Sequence, residues 1–304
     1  DFGTNFMREQ TLSTANYDAL LIAWNIESVQ SGLTLDFGNS KYTDGADAAT
    51  ARANLISSDS WTISDGGAAT PVFSNTYSID FDGVDDYMIG GTNMTLDICS
   101  YGMWVKTNTL QNQSPFTLHD NFYFYMAASG SNIVPYVATP FGNITWATTN
   151  LKDDAWHFIV VTLEGGSGVS STCKLYIDGA LNETKTATAT YTPVTTQKLK
   201  IGYYINNAGT WAGAYMAGNI DEISIWNGVT LSAAEVTALY NSGTPIDLSV
   251  DAGDYTSSAE LIHWWRMGDP DGTSEYPTIE DVVGSYDLTM TNMASGDIEE
   301  DVPE

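Results

Sequence analysis

From Pro71 onward the chain is a succession of short alternating segments, among them "TYSIDF", "DYMIG", "SYGMWVKT", "FYFYMAA", "HFIVVTLE", "CKLYIDG", "KLKIGYY" and "DEISIWN", each closed by Gly, Asn, Asp or Ser. Period-two alternation over five to eight residues marks a half-buried strand, and the polar and glycine breaks mark tight turns. Many such strands with almost no intervening helix cannot make a parallel sheet, which needs long crossovers. They can bury their apolar faces only by packing two antiparallel sheets together. The expected class is therefore mainly β, a two-sheet antiparallel jelly-roll sandwich. One late helix is expected at "TLSAAEVTALYNSG" (230–243): Thr230 or Ser232 caps it, Leu231, Val236, Leu239 and Tyr240 form its apolar face, and Gly243 stops it.

Charge narrows the partners. Ten Lys and Arg against 38 Asp and Glu leave a net charge of −28. A phosphate-neutralising surface needs clustered bases, so the balance argues against nucleic acid and against anionic membranes. No apolar run is long enough to insert in a bilayer. The acidity suits solubility in a salty medium or a calcium-rich surface. A start at Asp1 without a visible signal peptide reads as a processed protein or a segment of a longer one. Cys99 and Cys173 share strand parity with apolar neighbours and read as buried thiols, with a single bridge as the alternative.

Residues 1–69 differ in texture. "STANYDALLIAWN" (13–25) spaces Tyr17, Leu20, Leu21 and Trp24 as a helix face, with Ser13 or Thr14 as cap. "DGADAATARANLISS" (44–58) reads as a second helix presenting Ala49, Arg52, Ala53 and Ile56. "GLTLDFG" and "SWTISDGG" are short strands. The run "YDALLIAWNIESVQSGLTLDFGNSKYTDGADAATARANLISSDSWTISDGG" resembles the terminal repeat of BspA-like, leucine-rich-repeat-related surface proteins. That resemblance implies a small α/β repeat cap resting on upstream repeats or a neighbouring subunit, since one solenoid unit cannot bury both its faces.

Residues 70–304 carry a second resemblance. "FDGVDDYM" (81–88), "YGMWVKT" (101–107), "DAWHFIVVTLE" (154–164), "CKLYIDGALNET" (173–184), "KLKIGYY" (198–204) and "GNIDEISIWNGVTLSAAEVTALYNSG" (218–243) resemble, in order and spacing, the laminin-G-like, concanavalin A-like lectin and pentraxin superfamily. The match implies a concanavalin A-like core over 72–243. The tract 250–304, with "LIHWWRMGDPDG", resembles a segment that precedes the core in related modules, and it is expected to return along the sandwich as edge strands. The same segment order resembles laminin-G-like modules in structural proteins of marine bacteriophages, implying a virion-surface or extracellular setting; a secreted bacterial adhesin, or a purely structural assembly subunit that binds no sugar, is the alternative.

The fold also hosts laminarinase-type glycoside hydrolases, whose strand Glu-x-Asp-x-x-Glu supplies the paired carboxylates of retaining hydrolysis. The corresponding stretch here is Asn219-Ile220-Asp221-Glu222-Ile223-Ser224, in which Asn219 and Ser224 replace both glutamates. Asp221 and Glu222 then read as strand-edge hydrogen-bonding or solvated residues, and a non-enzymatic protein is expected. Resemblance to the pentraxin calcium site points to Asp120 and Asn121, with Asn206 and Asn207 in the acid-free loop 202–218. Sugar faces stack on aromatic rings beside such loops, which makes Trp211, Tyr203, Tyr204, Tyr123 and Trp146 the carbohydrate-binding candidates. The expected partners are cell-surface glycans and neighbouring subunits, the latter through the exposed face of the 1–67 unit and the tail around Trp264 and Trp265. The run "SIDFDGVDDYM" (78–88), four carboxylates around Gly83, reads as a hairpin in which Ser78, Asp80 and Asp82 face outward.

Overall fold

The computed structural model describes residues 11–43, 47–69, 73–96, 98–119, 122–139, 142–145, 149–165, 170–187, 194–205, 212–270 and 272–304. Two compact units divide between Phe73 and Ser74. In the first, helix α1 (Thr14–Ile26) starts at Ser13, whose Oγ accepts the Asn16 N–H. Strands β1 (Thr34–Asp36) and β2 (Tyr42–Thr43) lead to helix α2 (Asp47–Ser57), then to β3 (Thr62–Ser64) and β4 (Ala68–Ala69). β1 pairs in parallel with β3, and β2 with β4, so the chain completes two stacked coils. Tyr17, Leu21, Phe37, Leu55 and Trp61 fill the space between them. α2 buries Ala48, Ala51 and Leu55 rather than the expected Ala49, Arg52, Ala53 and Ile56. An alanine-rich helix offers two nearly equivalent faces, and the choice falls to Arg52, which leaves the core to bond Asp65 at 2.7 Å.

The second unit is the antiparallel sandwich. Its first sheet runs β12 (Gly142–Thr145), β11 (Asn132–Thr139), β10 (Phe122–Ser129), β9 (Gln113–His119), β17 (Lys200–Ile201), β6 (Tyr87–Gly90), β23 (Leu288–Thr291) and β22 (Thr278–Ile279). The second runs β15 (Ala180–Ala187), β14 (Ser171–Ile177), β13 (Trp156–Glu164), β8 (Cys99–Lys106), β20 (Ala217–Asn227), β5 (Ser78–Asp82) and β24 (Ile298–Glu299), with β21 (Leu261–Trp265) also paired to β20. Two ribbons complete it, β7 (Met94–Leu96) with β16 (Val194–Gln197) and β18 (Tyr204–Ile205) with β19 (Ala212–Gly213). Side chains of both sheets meet between them, where Tyr101 of β8 stacks on Phe116 of β9 at 4.4 Å. Residues 250–304 thus supply β21, β22, β23 and β24.

Cys99 and Cys173 are both buried in this core. Cys99 lies opposite Leu163, which lies opposite Cys173, so two strand spacings of ~4.8 Å separate them. That is too far for a bridge. Burial pushes the Cys173 thiol well above its ordinary pKa. No helix among the described residues is long and apolar enough to cross a membrane.

The expected hairpin at 78–88 is instead a corner between the two sheets. β5 pairs with β20 and β24, whereas β6 pairs with β17 and β23. Gly83 makes the corner at φ +79°, where a Cβ would stand 2.7 Å from that of Ala217. Ser78 does not face solvent: β24 covers it, and its hydroxyl donates to the Asp301 carbonyl at 2.6 Å. Asp80 is half-buried, and burial with Glu299, Asp297 and Asp86 nearby raises its carboxyl to about 6.

Helix α3 (Ala233–Tyr240) has the expected cap. Ser232 Oγ accepts the Glu235 N–H, and the Glu235 carboxylate accepts the Ser232 N–H at 2.8 Å. It ends at Asn241 in the left-handed region, two residues before the expected Gly243. In the first sheet, β6 passes under Tyr286 so closely that a Cβ on Gly90 would overlap the phenol ring. Gly90→Ala is expected to lower the unfolding free energy by about 1–3 kcal/mol, measured by urea denaturation.

Candidate functional site

Strand alternation builds an aromatic surface on the outer face of the first sheet. Along β10, Phe122, Phe124 and Met126 enter the core, so Tyr123 and Tyr125 take the opposite face. Tyr136 of β11 lies directly across from Tyr125. Tyr123 stacks on Tyr136 with ring centres 5.9 Å apart and meets the edge of Tyr204 at 4.9 Å. A second cluster adjoins: Tyr203 stacks on Tyr215 at 4.9 Å and touches Tyr87 of β6 at 5.2 Å. Gly202, at φ +79° with Phe81 beneath it, turns the chain so that Tyr203 can reach these rings.

Tyr204 is nearly buried, whereas the other six are half-buried. Burial and neighbouring tyrosines raise the hydroxyl pKa of Tyr123 and Tyr203, and burial with Tyr204 does so for Tyr125. Their phenols are therefore neutral and offer both a donor and an acceptor beside a flat apolar ring. Such a surface matches a pyranose, whose C–H face is apolar and whose rim carries hydroxyls.

Of the residues expected from sequence, the structure brings Tyr123, Tyr203 and Tyr204 to this face. Trp211, Trp146, Asp120, Asn121, Asn206 and Asn207 lie outside the described residues. Tyr87, Tyr125, Tyr136 and Tyr215 were not anticipated. The alternation of "FYFYM" carries the signal for Tyr125 as clearly as for Tyr123; Tyr87 and Tyr215 come together only through long-range pairing.

Carboxylates elsewhere do other work. Among the described residues, Asp82, Asp85 and Asp86 have oxygens within 4.8 Å of one another. Those oxygens brace the sheet corner: Asp82 Oδ1 accepts the Val84 and Asp85 N–H groups, and Asp86 Oδ2 accepts that of Asp82. Asp221 and Glu222 are neither solvated nor exposed, at 0% and 3%. They form a bulge where β20 exchanges one edge partner, β5, for another, β21, with Glu222 at φ +49°. The gap between those two strands closes over them. Asn75 donates to Asp221 at 2.7 Å, Arg266 donates to Glu222 at 3.3 Å, and Trp264 Nε1 also donates to Glu222. Both carboxylates are thus engaged by partners within the protein. Trp264 and Trp265 are likewise buried, at 3% and 0%, and so are not the exposed assembly surface expected of them.

The sandwich with its aromatic outer face defines a lectin-like β domain. The chain belongs to the concanavalin A-like lectin/glucanase superfamily, whose laminin-G-type family profile matches residues 81–237. No curated protein sequence matches it. Among solved structures, a Bacteroides ovatus protein to which carbohydrate binding is provisionally ascribed aligns with a TM-score of 0.52 at 14% identity, over 78% of this chain. This chain spans 63% of the length of that protein. A heptameric SAP-like pentraxin from Limulus polyphemus aligns with a TM-score of 0.48 at 12% identity, covering 74% of this chain and all of the pentraxin.

Proposed function

We propose that the chain is a non-enzymatic surface module that recognises carbohydrate on the tyrosine face of its first sheet. One observation carries this reading: seven tyrosines, four from β6, β10 and β11 together with Tyr203, Tyr204 and Tyr215, gather on one outer sheet face as two adjoining clusters. The carbohydrate binding ascribed to the Bacteroides relative supports it, as does closure of the buried carboxylate pair against a catalytic role. The net charge of −28 suits an extracellular or virion-surface setting. The two parallel coils of the N-terminal unit suit stacking on upstream repeats or a neighbouring subunit.

A glycan array, run with and without calcium, tests the reading directly. Binding is expected to fall about tenfold or more in Tyr203→Ala and in Tyr123→Ala, the ~1.4 kcal/mol lost with one stacked ring. Tyr123→Phe, which keeps the ring, is expected to retain most of it. An array silent in both conditions overturns the proposal. So does binding that both alanine variants leave intact. A requirement for calcium would show a bound metal, and loss of that requirement in Asp120→Ala would assign Asp120 to it.

A further inference from the structure

The two sheets differ in charge. The strands of the first sheet contain no Asp or Glu, whereas β5, β13, β15, β20 and β24 of the second all do. In a chain with 38 acids and a net charge of −28, the strands beneath the tyrosines are thus free of fixed negative charge. Lys200 is the one Lys or Arg among them. Ile201 enters the core, so Lys200 takes the outer face, between Thr117 of β9 and Ile89 of β6. It is 7% exposed, and its Nζ donates to the Lys198 carbonyl at 3.0 Å. Its charge is therefore engaged within the protein.

The tyrosines form a row rather than a single spot. The strand order is β11, β10, β9, β17, β6, so Tyr136 on β11 and Tyr87 on β6 stand four strand spacings apart, ~19 Å. Tyr203 and Tyr204 bridge the middle, Tyr204 against Tyr123 of β10 and Tyr203 against Tyr87. Ring centres in contact along the row are 4.9 Å to 5.9 Å apart. A pyranose, like a phenol, is a six-membered ring, so a row of ~19 Å has room for about three or four linked sugars.

Such a row can take the C–H faces of successive sugars, while the phenol hydroxyls bond their rims. A uronic or sulfated sugar would need a counter-charge to offset its desolvation. The strands of this face carry only Lys200, which is already engaged. Resting on the carbohydrate reading of the same face, we infer that the tyrosine row binds an uncharged oligosaccharide laid across the strands, at least three sugars at a time. A terminal monosaccharide or an acidic glycan is not its ligand.

A glycan array graded by length tests this, with neutral glucan, mannan, xylan and galactan chains of one to six units beside uronic, sialylated and sulfated ones. Binding is expected only to neutral chains, rising about tenfold or more from one unit to four and then levelling off. Titration calorimetry with the best-bound chain should give the same affinity at low and high ionic strength. Tyr136→Ala and Tyr87→Ala, at opposite ends of the row, should each weaken the longer chains about fivefold or more. Tyr136→Phe and Tyr87→Phe keep the ring and should retain most of the affinity. Equal binding of a single sugar and its tetramer overturns the inference and leaves the carbohydrate reading standing. So does binding of acidic glycans, an affinity that falls with salt, or full affinity for long chains in either alanine variant. A silent array overturns both readings, and self-association lost in Tyr87→Ala would then give the face to a second copy of the chain.

Discussion

Arg266→Met is expected to lower the unfolding free energy by about 3–5 kcal/mol at neutral pH, because it removes the guanidinium paired with the buried carboxylates of Glu222 and Asp269. Glu222 is 3% exposed, Asp269 1% and Asp221 0%. Arg266 also donates to the Ser74 carbonyl and lies 5.2 Å over the Trp264 ring. Methionine matches the stem in volume but leaves the carboxylates facing one another without a counter-ion. The loss should depend on pH in a definite sense. Burial and mutual repulsion raise Asp221 well above the usual carboxylate range, and burial, only partly offset by Arg266, raises Glu222 to about 7. The folded chain therefore binds protons here more tightly than the unfolded chain. The stability this linkage contributes is fully present below the ordinary carboxylate pKa and is lost as pH rises toward about 7. Without Arg266 the raised range extends further upward. Urea midpoints from pH 5 to pH 8 should fall for the native protein and fall more steeply for the variant. Equal midpoints for the two proteins at pH 8 would rule out an essential ion pair.

The way these residues come together explains what was legible in the sequence. Strands could be read because alternation is local, and so could the start of α3, because Ser232 and Glu235 form a capping box three residues apart. The corner at Gly83 was misread because a strand, a glycine and another strand look alike whether or not the two strands pair together. Its true partners are remote in sequence: Asp82 lies opposite Ala217, and Tyr87 opposite Thr291. Trp264 was misread for a related reason. Alternation predicts one buried face, but β21 is covered on both, so Trp265 enters the core while Trp264 meets Glu222 and Arg266. The tyrosine face was half legible. Tyr123 belongs to a readable strand, while Tyr87 and Tyr215 become neighbours of Tyr203 only after the first sheet assembles.

Asp281→Ala is expected to be about as destabilising as Arg266→Met, at about 3–5 kcal/mol, through a different mechanism. Asp281 folds the 281–286 loop around its own carboxylate. Oδ1 accepts the Trp264 N–H at 3.0 Å, the Gly284 N–H at 3.0 Å and the Val283 N–H at 3.3 Å. Oδ2 accepts the Tyr286 N–H at 3.1 Å and bonds His263 Nδ1 at 2.6 Å. Burial raises the carboxyl, but His263 and the N–H groups of Gly284, Trp264 and Tyr286 outweigh it and hold the pKa below its usual value. This contribution therefore has the opposite sign from that of Glu222: it is present above the ordinary carboxylate pKa and lost as pH falls through the depressed one. Alanine would leave four N–H groups without their acceptor beneath a closed loop. The damage should spread, because the loop places Tyr286, whose carbonyl accepts the Trp265 indole N–H at 2.8 Å and whose hydroxyl accepts the Leu199 N–H at 3.1 Å. Asp281→Asn keeps one acceptor oxygen and should cost roughly half as much. Because Tyr286 lies against Gly90 in β6, hydrogen exchange in the alanine variant should rise in β6 and β23 before it rises in β13 and β14. A uniform rise across both sheets would instead mean that the loop does not hold the edge of the first sheet independently of the rest.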